Sequence, residues 1–536
     1  MTVTRTPLLS LSAALLIASL SACGGGGGSA PAPAPAPGSP VAPSAPVVPV
    51  PPATPVVPVV PVTPATPDGL GAWGHVDGTV RIEANIQAPY GTPDQRSLAM
   101  AAALADDGRG LAVWQLVGAQ NKADRIVAWS QSDAAGAWPA GKAIPQAGSG
   151  NALYRLTLRT NAAGNAALGM VTEGTLTEAS SPRTLRFIQG SGWDASSYKP
   201  LGAFGEARRT VTGAGWDLSI LDSNAVTSSG RTGDYFSVVQ TAPDGQQKSV
   251  LDTSANAFSS TDEHSNFAPR PDGFGLWYTT KQRNDYSSDL IARLAAVDGT
   301  AFATFPIGNF GQLCSALNEE GPLVAATTSK TEGVLAVTVG KLSGCTTHAL
   351  HAVRIYTLNT LSVDSRILNS PSTYLPVAPV IRVDKDGNAL MVWLEFTGER
   401  NKYQDSDKVQ MMWSKSMYGG GWSTPVSVFG PGVDLTKYST RRNPISLAMN
   451  ANGQAVLALL VDSLNPVITT TRFDFQSGWS APKVIANKAG LSVPAVAINA
   501  SGQALVVYSG TDLTRVNGVP GLSPDPFNLR IFALRF

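Results

Sequence analysis

The sequence predicts an all-β fold assembled from repeated sheets, and two recurring patterns predict it. The first is a pair of strands of alternating small and branched apolar residues, joined by a turn that is rich in Asn or Asp and ends in Gly. Its clearest copies begin at Ser97, Leu156, Pro379, Ser446 and Pro494. The Gly supplies the positive φ that a tight hairpin needs, and Asn and Asp tolerate the neighbouring positions. Each copy is therefore predicted to be a β-hairpin.

The second pattern follows the hairpin: a third strand leads to Gly and Trp, and a fourth strand begins there. Its copies start at Gly136, Gly192, Gly421 and Gly478. Because these Trp residues share one repeat position, we predict that they pack between outer strands, with a set of ligand-stacking side chains as the alternative. Four-stranded units that repeat at this length and stack radially define a β-propeller.

The turn glycines predict the number of blades. One unit each is marked by Gly108, Gly164, Gly273, Gly321, Gly387, Gly453 and Gly502. The interval between Gly164 and Gly273 has room for one more unit, and the segment WDLSILDSNAVTSSG from Trp216 fits it as a further strand and turn. We therefore expect a β-propeller of about eight four-stranded blades, with seven as the alternative.

The two ends of the domain predict how the ring of blades closes. Leu529–Phe536 has the pattern of a third strand, whereas the stretch from Leu70, which includes Trp73, resembles a fourth strand. We expect this N-terminal strand to complete the last blade and so to remove its exposed edge. The propeller domain is predicted to span residues 68–536.

The N-terminus resembles an export signal with a site for lipid attachment. A short apolar stretch, too short for a membrane span and typical of a secretory signal, ends in Leu-Ser-Ala-Cys at Cys23. These four residues resemble the bacterial lipobox. The resemblance implies that residues 1–22 are a signal peptide and that Cys23 carries the lipid, with an ordinary secretory signal as the alternative. Gly24, where Asp would indicate inner-membrane retention, favours the outer membrane.

A Gly/Pro-rich segment, residues 23–67, separates Cys23 from the domain. Gly24–Gly28 lacks side chains, and prolines then recur at every second and later at every third position. Polyproline II has three residues per turn, so the later prolines line one edge of an extended rod. At about 3.1 Å per residue this rod reaches on the order of 100 Å. We predict a lipid-anchored tether, with a docking ligand for a proline-binding partner as the alternative.

Charge and cysteine content limit the classes of partner. Without residues 1–22 the chain has 38 basic residues (39 minus Arg5) against 38 acidic residues. No global field therefore attracts nucleic acid. Cys314 and Cys345 remain beside the anchor. In an oxidising compartment they are expected to pair as a disulfide, with two buried free thiols as the alternative.

The sequence contains only fragments of metal-binding motifs. Cys345, His348 and His351 have the spacing Cys-x-x-His-x-x-His, but a zinc site needs three or four ligands, and a loop with two polar histidines explains the spacing as well. Asp384 and Asp386 resemble a calcium loop, but the equivalent positions of other repeats read NANG and NASG. A hairpin turn explains all of them. We predict no metal, no cofactor and no specific catalytic residue.

Two turns between third and fourth strands resemble the Asp-box, Ser-x-Asp-x-Gly-x-x-Trp. They are WSQSDAAGAW at Trp129, with Asp133 three residues before Gly136, and WSKSMYGGGW at Trp413, which has no Asp. With the repeated units, they make residues 69–536 similar to the propellers of the sialidase-like and Asp-box group and of many uncharacterised bacterial lipoproteins. The resemblance implies a propeller and no activity, because sialidases need an arginine cluster, a Tyr/Glu pair and an acidic proton donor.

Propellers usually bind ligands at the face formed by loops that enter the innermost strands and loops that join second to third strands. The first set of loops supplies the candidate ligand face: Tyr154, Arg155, Trp216, Asp217, His264, Arg441 and Arg442. The second set includes Thr397–Lys408 and Val516–Pro526. A polar and aromatic rim fits recognition of a glycan or peptide, whereas any one of these residues alone fits a solvated loop.

Together these observations predict an envelope lipoprotein anchored to a membrane through Cys23. Its β-propeller is expected to be a binding or scaffold module for a protein or glycan partner, without nucleic acid as a ligand. The first alternative is a carbohydrate-active enzyme, either a sialidase-like glycoside hydrolase or a lyase. The second is an assembly factor for other envelope proteins. The sequence names neither the ligand nor the oligomeric state.

Overall fold

The chain is all-β wherever its structure is described. The computed structural model describes residues 79–82, 99–116, 126–144, 153–160, 164–172, 182–200, 208–211, 217–226, 232–241, 247–252, 265–269, 275–282, 288–295, 302–310, 312–313, 323–327, 333–340, 348–355, 363–368, 375–396, 409–429, 445–461, 467–487, 492–511 and 529–536. These ranges contain antiparallel strands and no helix, which confirms the predicted fold class for them. Among these ranges there is consequently no helix that is long and apolar enough to cross a membrane.

The described strands form eight antiparallel sheets, which we number along the chain. The first strand of the chain, β1 (Val80–Arg81), belongs to the last sheet. Sheet 1 contains β2 (Met100–Leu104), β3 (Gly110–Leu116), β4 (Ile126–Gln131) and β5 (Lys142–Ala143). Sheet 2 contains β6 (Leu153–Thr160), β7 (Ala166–Thr172), β8 (Pro182–Ile188) and β9 (Gly192–Pro200). Sheet 3 contains β10 (Arg208–Val211), β11 (Asp217–Val226), β12 (Thr232–Thr241) and β13 (Gln247–Asp252). Sheet 4 contains β14 (Ser265–Pro269), β15 (Gly275–Gln282), β16 (Ser288–Ala295) and β17 (Phe302–Phe310).

The second half of the chain continues this order. Sheet 5 contains β18 (Gln312–Leu313), β19 (Leu323–Thr327), β20 (Gly333–Gly340), β21 (His348–Ile355) and β22 (Val363–Ile367), and β18 and β19 both pair with β20. Sheet 6 contains β23 (Leu375–Val383), β24 (Ala389–Phe396), β25 (Val409–Ser416) and β26 (Val426–Ser427). Sheet 7 contains β27 (Ile445–Met449), β28 (Ala455–Val461), β29 (Val467–Asp474), β30 (Gly478–Trp479) and β31 (Lys483–Asn487), and β30 and β31 both pair with β29. Sheet 8 contains β32 (Ala495–Ile498), β33 (Ala504–Thr511), β34 (Leu529–Arg535) and β1.

The five hairpins predicted from the first repeat pattern are confirmed. Each consists of the first and second strands of its sheet, namely β2–β3, β6–β7, β23–β24, β27–β28 and β32–β33. The turn glycine of each has a positive φ, at Gly108, Gly164, Gly387, Gly453 and Gly502. Local periodicity together with one residue that adopts a left-handed backbone was sufficient to find these hairpins.

Two other units differ from the predicted register. The described part of the segment from Trp216 is β11, Asp217–Val226, which is the second strand of sheet 3 and not its first strand. Its first strand, β10, begins with Arg208 and Arg209 and lacks the apolar alternation that identified first strands elsewhere. In sheet 5 the turn into the second strand lies between β19 and β20, so Gly321 does not mark it. Gly321 and Gly273 themselves lie outside the described residues.

The Gly–Trp positions pack between neighbouring sheets, as predicted. Trp193 of sheet 2 meets Trp129 of sheet 1 edge-on, with ring centroids 6.0 Å apart. Trp479 of sheet 7 meets Trp413 of sheet 6 in the same way at 6.4 Å. Each pair lies against an apolar cluster with members from both sheets. The large aromatic surface of these Trp residues therefore holds adjacent sheets together.

Neighbouring sheets pack in chain order through their first strands. β2 contacts β6, and this pattern continues through β10, β14, β19, β23, β27 and β32. β32 in turn contacts β2, and one apolar cluster is shared by sheets 8 and 1. Within sheet 8, Val80 of β1 pairs with Ala533 of β34, and Ile82 N donates to Ile531 O at 2.9 Å. The N-terminal strand is thus the fourth strand of the last sheet.

Candidate functional site

The two ends of the sheets differ in the connections they carry. At one end the first strand turns into the second and the third into the fourth. We call this the turn end and define it by residues 105–109, 384–388, 450–454 and 499–503. At the opposite end first strands begin and second strands stop. We call this the loop end; residues 397–408 and 512–528 are two of the connections that start there.

Consecutive turns at the turn end are hydrogen-bonded to one another. Lys385 N of sheet 6 donates to Ala451 O of sheet 7 at 3.0 Å. Asn450 Nδ2 of sheet 7 donates to Asn499 O of sheet 8 at 2.9 Å, and Asn499 Nδ2 donates to Ala105 O of sheet 1 at 3.2 Å. Hydrogen bonds therefore join each of these four turns to the next one.

The acidic turn of sheet 6 has the hydrogen bonds of a hairpin. Asp384 Oδ1 accepts from the backbone N–H groups of Asp386 and Asn388 at 2.9 and 2.8 Å, and Asp384 Oδ2 accepts from Asn388 Nδ2 at 2.8 Å. In sheet 7, Asn450 Oδ1 accepts from the equivalent N–H groups, both at 3.0 Å. The amide oxygen of Asn450 thus accepts the same two backbone hydrogen bonds as the carboxylate of Asp384. The acidic spacing thus lies in a hairpin turn of the same kind as the turn of sheet 7.

Long polar side chains on third strands join each sheet to the next at the turn end. Lys415 Nζ of sheet 6 donates to Phe475 O of sheet 7 at 2.6 Å. The buried Arg354 of sheet 5 donates to Ser416 Oγ at 2.7 Å and to Gly387 O, both in sheet 6. We call the residues at this position the inter-sheet donors: Gln131, Arg354, Lys415, Arg472 and Arg535. The turn end is consequently a structural surface.

The structure separates the predicted ligand-face residues. Tyr154 and Arg155 are near the start of β6, at the loop end. Asp217 begins β11 and pairs with Val211, the last residue of β10, so it lies at the turn end instead. For these three predicted residues the backbone alone is described. The other predicted ligand-face residues lie outside the described ranges: Trp216, His264, Arg441 and Arg442.

The cysteines and one part of the possible zinc motif also lie outside the described residues. These are Cys23, Cys314 and Cys345, so lipid attachment and the disulfide stay predictions. His348 and His351 are in β21, one strand rather than the expected loop. Burial lowers the pKa of His351, which favours its neutral form. Among the described residues no group of three or more metal-ligating side chains is close enough to hold an ion.

A buried carboxyl group lies at the loop end of sheet 6. Glu395 is the second-to-last residue of β24 and is buried, with 5% of its surface exposed. Its Oε1 accepts a hydrogen bond from Trp393 Nε1 at 2.8 Å. Trp393 is itself fully buried in an apolar cluster that includes Ile381 and Met391. A buried ionisable group therefore lies two residues before the connection 397–408.

Comparison of the repeats marks Glu395 as an exception. It is the eighth residue after the turn glycine, and the same position holds Leu116, Thr172, Val461 and Gly510 in the other four hairpins. Burying an ionisable group in place of an apolar or small one costs free energy, so packing alone does not explain it. Glu395 belongs to none of the features that the hairpins share, so no repeat pattern indicates it. Aligning them on their turn glycines and asking where one departs would have found it.

The surroundings of Glu395 favour its neutral form. Burial raises the pKa of the Glu395 carboxyl, and the hydrogen bond from Trp393 opposes this in part. A carboxyl group whose pKa is raised is protonated at higher pH than usual and then donates a proton or a hydrogen bond. Burial, the hydrogen bond from Trp393 and the direction of the pKa shift together distinguish Glu395 from the residues at the same position of the other hairpins.

The Glu395→Gln variant is expected to be more stable than wild type at pH 8, and this difference in stability should be larger at pH 8 than at pH 3.5. Because the pKa is higher in the folded state, the unfolded state loses its proton first as the pH rises, and wild-type stability falls between the two pKa values. Gln retains an acceptor for Trp393 and does not titrate. Urea unfolding midpoints of variant and wild type at both pH values measure the effect.

Asp107→Asn is the matched control with the opposite sign. The hydrogen bond from Arg109 lowers the pKa of Asp107, so its ionisation stabilises the fold above its unfolded pKa, and the benefit is lost as the pH falls. This variant is expected to lose a little stability at pH 8, because the pair is exposed. If Glu395→Gln were also less stable than wild type at pH 8, ionisation of Glu395 would not destabilise the folded protein, and its pKa would not be raised.

Comparisons with known proteins find similar structures and no sequence relative. No protein-family model and no curated protein matches the chain. An α-L-arabinanase of Penicillium chrysogenum is 11% identical, covering 61% of this chain and 92% of that one, with a TM-score of 0.34. The β-propeller domain of the Trilobed protease of Pyrococcus furiosus is 9% identical (68% and 93% covered, TM-score 0.37). The polysaccharide lyase Uly1 is 9% identical (70% and 88%, TM-score 0.39). At this level the similarity assigns no activity to the chain.

Proposed function

We propose that this chain is a lipid-anchored protein of the bacterial cell envelope whose β-propeller binds a protein or glycan partner at its loop end. In this proposal Cys23 carries the lipid and residues 23–67 are the tether. Eight four-stranded blades form the ring, and β1 completes the last blade. The outer membrane is the favoured location.

The packing of the sheets supports the ring. Every first strand contacts the next along the chain, and β32 contacts β2, so that the series returns to its start. Six of the eight sheets have four antiparallel strands, as a propeller blade has, and sheets 5 and 7 have one strand more. The pairing of β1 with β34 joins the two ends of the domain within one sheet.

The difference between the two ends of the sheets carries the binding proposal. At the turn end, short turns of one type bond to each other, as Asn450 does to Asn499, and the inter-sheet donors occupy further carbonyl groups. The connections between second and third strands differ in length: residues 462–466 form a short one and residues 512–528 a long one. A rigid scaffold that presents connections of varied length and sequence at one end is typical of binding proteins.

Site-specific photo-crosslinking in living cells tests this proposal. A photoreactive amino acid at Tyr154 places the probe at the loop end, and the same probe at the exposed Gln476 is the matched control at the turn end. We expect discrete crosslinked species from position 154 and none from 476. Treatment of the product with protease or with glycan-cleaving enzymes then separates a protein partner from a glycan. Crosslinking only from position 476 would place the binding surface at the wrong end.

Replacing Cys23→Ser is expected to move the protein from the membrane fraction to the soluble fraction. Acyl chains anchor because each buried methylene contributes about 0.8 kcal/mol, and Ser lacks the thiol to which they attach. Metabolic labelling with an alkyne fatty acid measures the modification directly, and Cys314→Ser is the matched control. Equal labelling of the Cys23 variant and wild type would refute the anchor.

Glu395 favours a carbohydrate-active enzyme as the second candidate. Glycoside hydrolases need a carboxyl group that stays protonated near neutral pH, and burial moves Glu395 in that direction. Incubating the protein with envelope polysaccharides and measuring released reducing ends tests this candidate. Loss of general acid catalysis in Glu395→Gln is expected to reduce the rate about 10²–10⁴-fold, whereas the exposed Asp386→Asn should retain it. An unchanged rate in Glu395→Gln would remove Glu395 from the reaction.

A further inference from the structure

The last two residues of sheet 8 connect it to both neighbouring sheets, and we propose that Arg535 and Phe536 form a latch that closes the ring. The latch holds sheet 8 to sheet 1 through Arg535 and to sheet 7 through Phe536. It rests on the closed ring of the proposed function and is independent of any ligand.

Arg535 reaches from sheet 8 into sheet 1. Its Nη1 donates to Gly108 O at 2.8 Å and to Ala134 O at 2.9 Å. These acceptors are the turn between first and second strands and the turn between third and fourth strands of sheet 1. A Cβ atom at Gly136 would lie 3.1 Å from the Arg535 guanidinium carbon. The guanidinium therefore packs directly against the backbone of Gly136, where a side chain would press on it.

Sheet 7 holds the other half of the latch. Arg472 Nη2 donates to Phe536 O at 2.8 Å, and Nη1 donates to Gly502 O at 2.8 Å. The Arg472 guanidinium also lies over the Phe536 ring, 4.9 Å from its centroid. Phe536 is in turn paired with Ala504 of its own sheet, N–H to O in both directions. One residue thus ties the end of β34 to β33 and to sheet 7.

The junction of sheets 8 and 1 depends on such contacts more than the other junctions do. The chain passes from sheet 8 into sheet 1 only through β1, which pairs with β34 over Val80 and Arg81. Arg535 is 427 residues from Gly108 and 401 from Ala134 in the sequence. Once this junction opens, the entropy of the long intervening chain opposes its closing. Directional bonds from a charged donor are suited to holding it shut, because each contributes more than a neutral one.

Native-state hydrogen exchange on the full chain tests the latch. Arg535→Ala is expected to reduce protection at the β1, β2 and β34 amides at least about tenfold, because two hydrogen bonds from a charged donor are lost. Amides of the β23–β24 hairpin in sheet 6 should change less than about twofold. The matched control is Arg109→Ala, which removes an Arg of the same region that bonds to Asp107 within its own turn. It should leave all three strands protected.

Two results would overturn the latch: unchanged protection at β1, β2 and β34 in Arg535→Ala, or a uniform loss over all sheets. If Arg535→Ala yields no soluble protein, Arg535→Lys takes its place. Lys keeps the charge but lacks the planar fork of donors, so a loss of a few-fold is expected at the same amides. Photo-crosslinking at the loop end does not depend on these amides, so failure of the binding proposal and failure of the latch are separate results.

Discussion

Deleting Leu529–Phe536 is expected to leave no folded protein. β34 is the third strand of sheet 8 and pairs with β33 on one side and β1 on the other. Ile531, Phe532 and Leu534 are buried, and they belong to the apolar clusters on both faces of the sheet. At about 1.5–3 kcal/mol for each large apolar side chain, their loss costs roughly 5–9 kcal/mol. This is comparable with the roughly 5–15 kcal/mol that stabilises a typical domain.

The measurement is the yield of soluble protein and its far-UV circular dichroism during urea unfolding. Deleting the equally long segment 40–47 is the matched control, because it removes residues of the predicted tether and should leave the unfolding transition unchanged. A truncated protein that is soluble and unfolds cooperatively would show that sheet 8 contributes little to the fold.

Gly453→Ala is expected to cost about 2–5 kcal/mol of stability. Gly453 has a φ of +79°, and this left-handed backbone costs an Ala about 1–2 kcal/mol. The added Cβ would also lie 2.7 Å from Phe475 Cδ2 and 2.9 Å from Asp384 Oδ2. Overpacking of this kind costs roughly 1–3 kcal/mol more, because the buried ring and the hydrogen-bonded carboxylate have little room to move. The chain also offers a glycine at which these two costs separate.

Gly478→Ala is that comparison. Gly478 has nearly the same φ, +77°, but nothing lies within 4 Å of an added Cβ. It should lose only the conformational part, about 1–2 kcal/mol. Urea unfolding of both variants gives the difference, which isolates the cost of overpacking against Phe475 of sheet 7 and Asp384 of sheet 6. Equal losses would mean that Phe475 and Asp384 move aside without cost.

Much of the fold was predictable because its signals are local. The hairpins around Gly387 and Gly453 follow from alternation and one turn residue, and the Trp positions follow from their fixed place in the repeat. Where those signals are missing the prediction was wrong. β10 begins with two arginines, and sheet 5 has its first strand in two pieces, so pattern matching chose β11 and Gly321 instead.

The functional residues were harder to predict because they depend on contacts distant in sequence. Glu395 is part of no sequence motif, and it became a candidate only because the structure buries it beside Trp393. Four of the five inter-sheet donors, all except Gln131, donate to main-chain oxygens, which every sequence has, so no residue pattern indicates their partners. Asp217 shows the converse: it was assigned to the ligand face, but the register of its sheet places it at the turn end. A loop residue has no periodicity that would fix its position.

Four of the inter-sheet donors bind main-chain carbonyl groups: Arg354, Lys415, Arg472 and Arg535. This choice of partner has a consequence for how such a chain evolves. A donor that needs a particular side chain as its acceptor restricts which residues can occupy two positions of the chain. A backbone oxygen, in contrast, is present whatever residue occupies the turn. A repeat copied by duplication therefore brings a donor for the next repeat and an acceptor for the previous one. Units can be gained, exchanged or allowed to diverge without a compensating mutation in their neighbours.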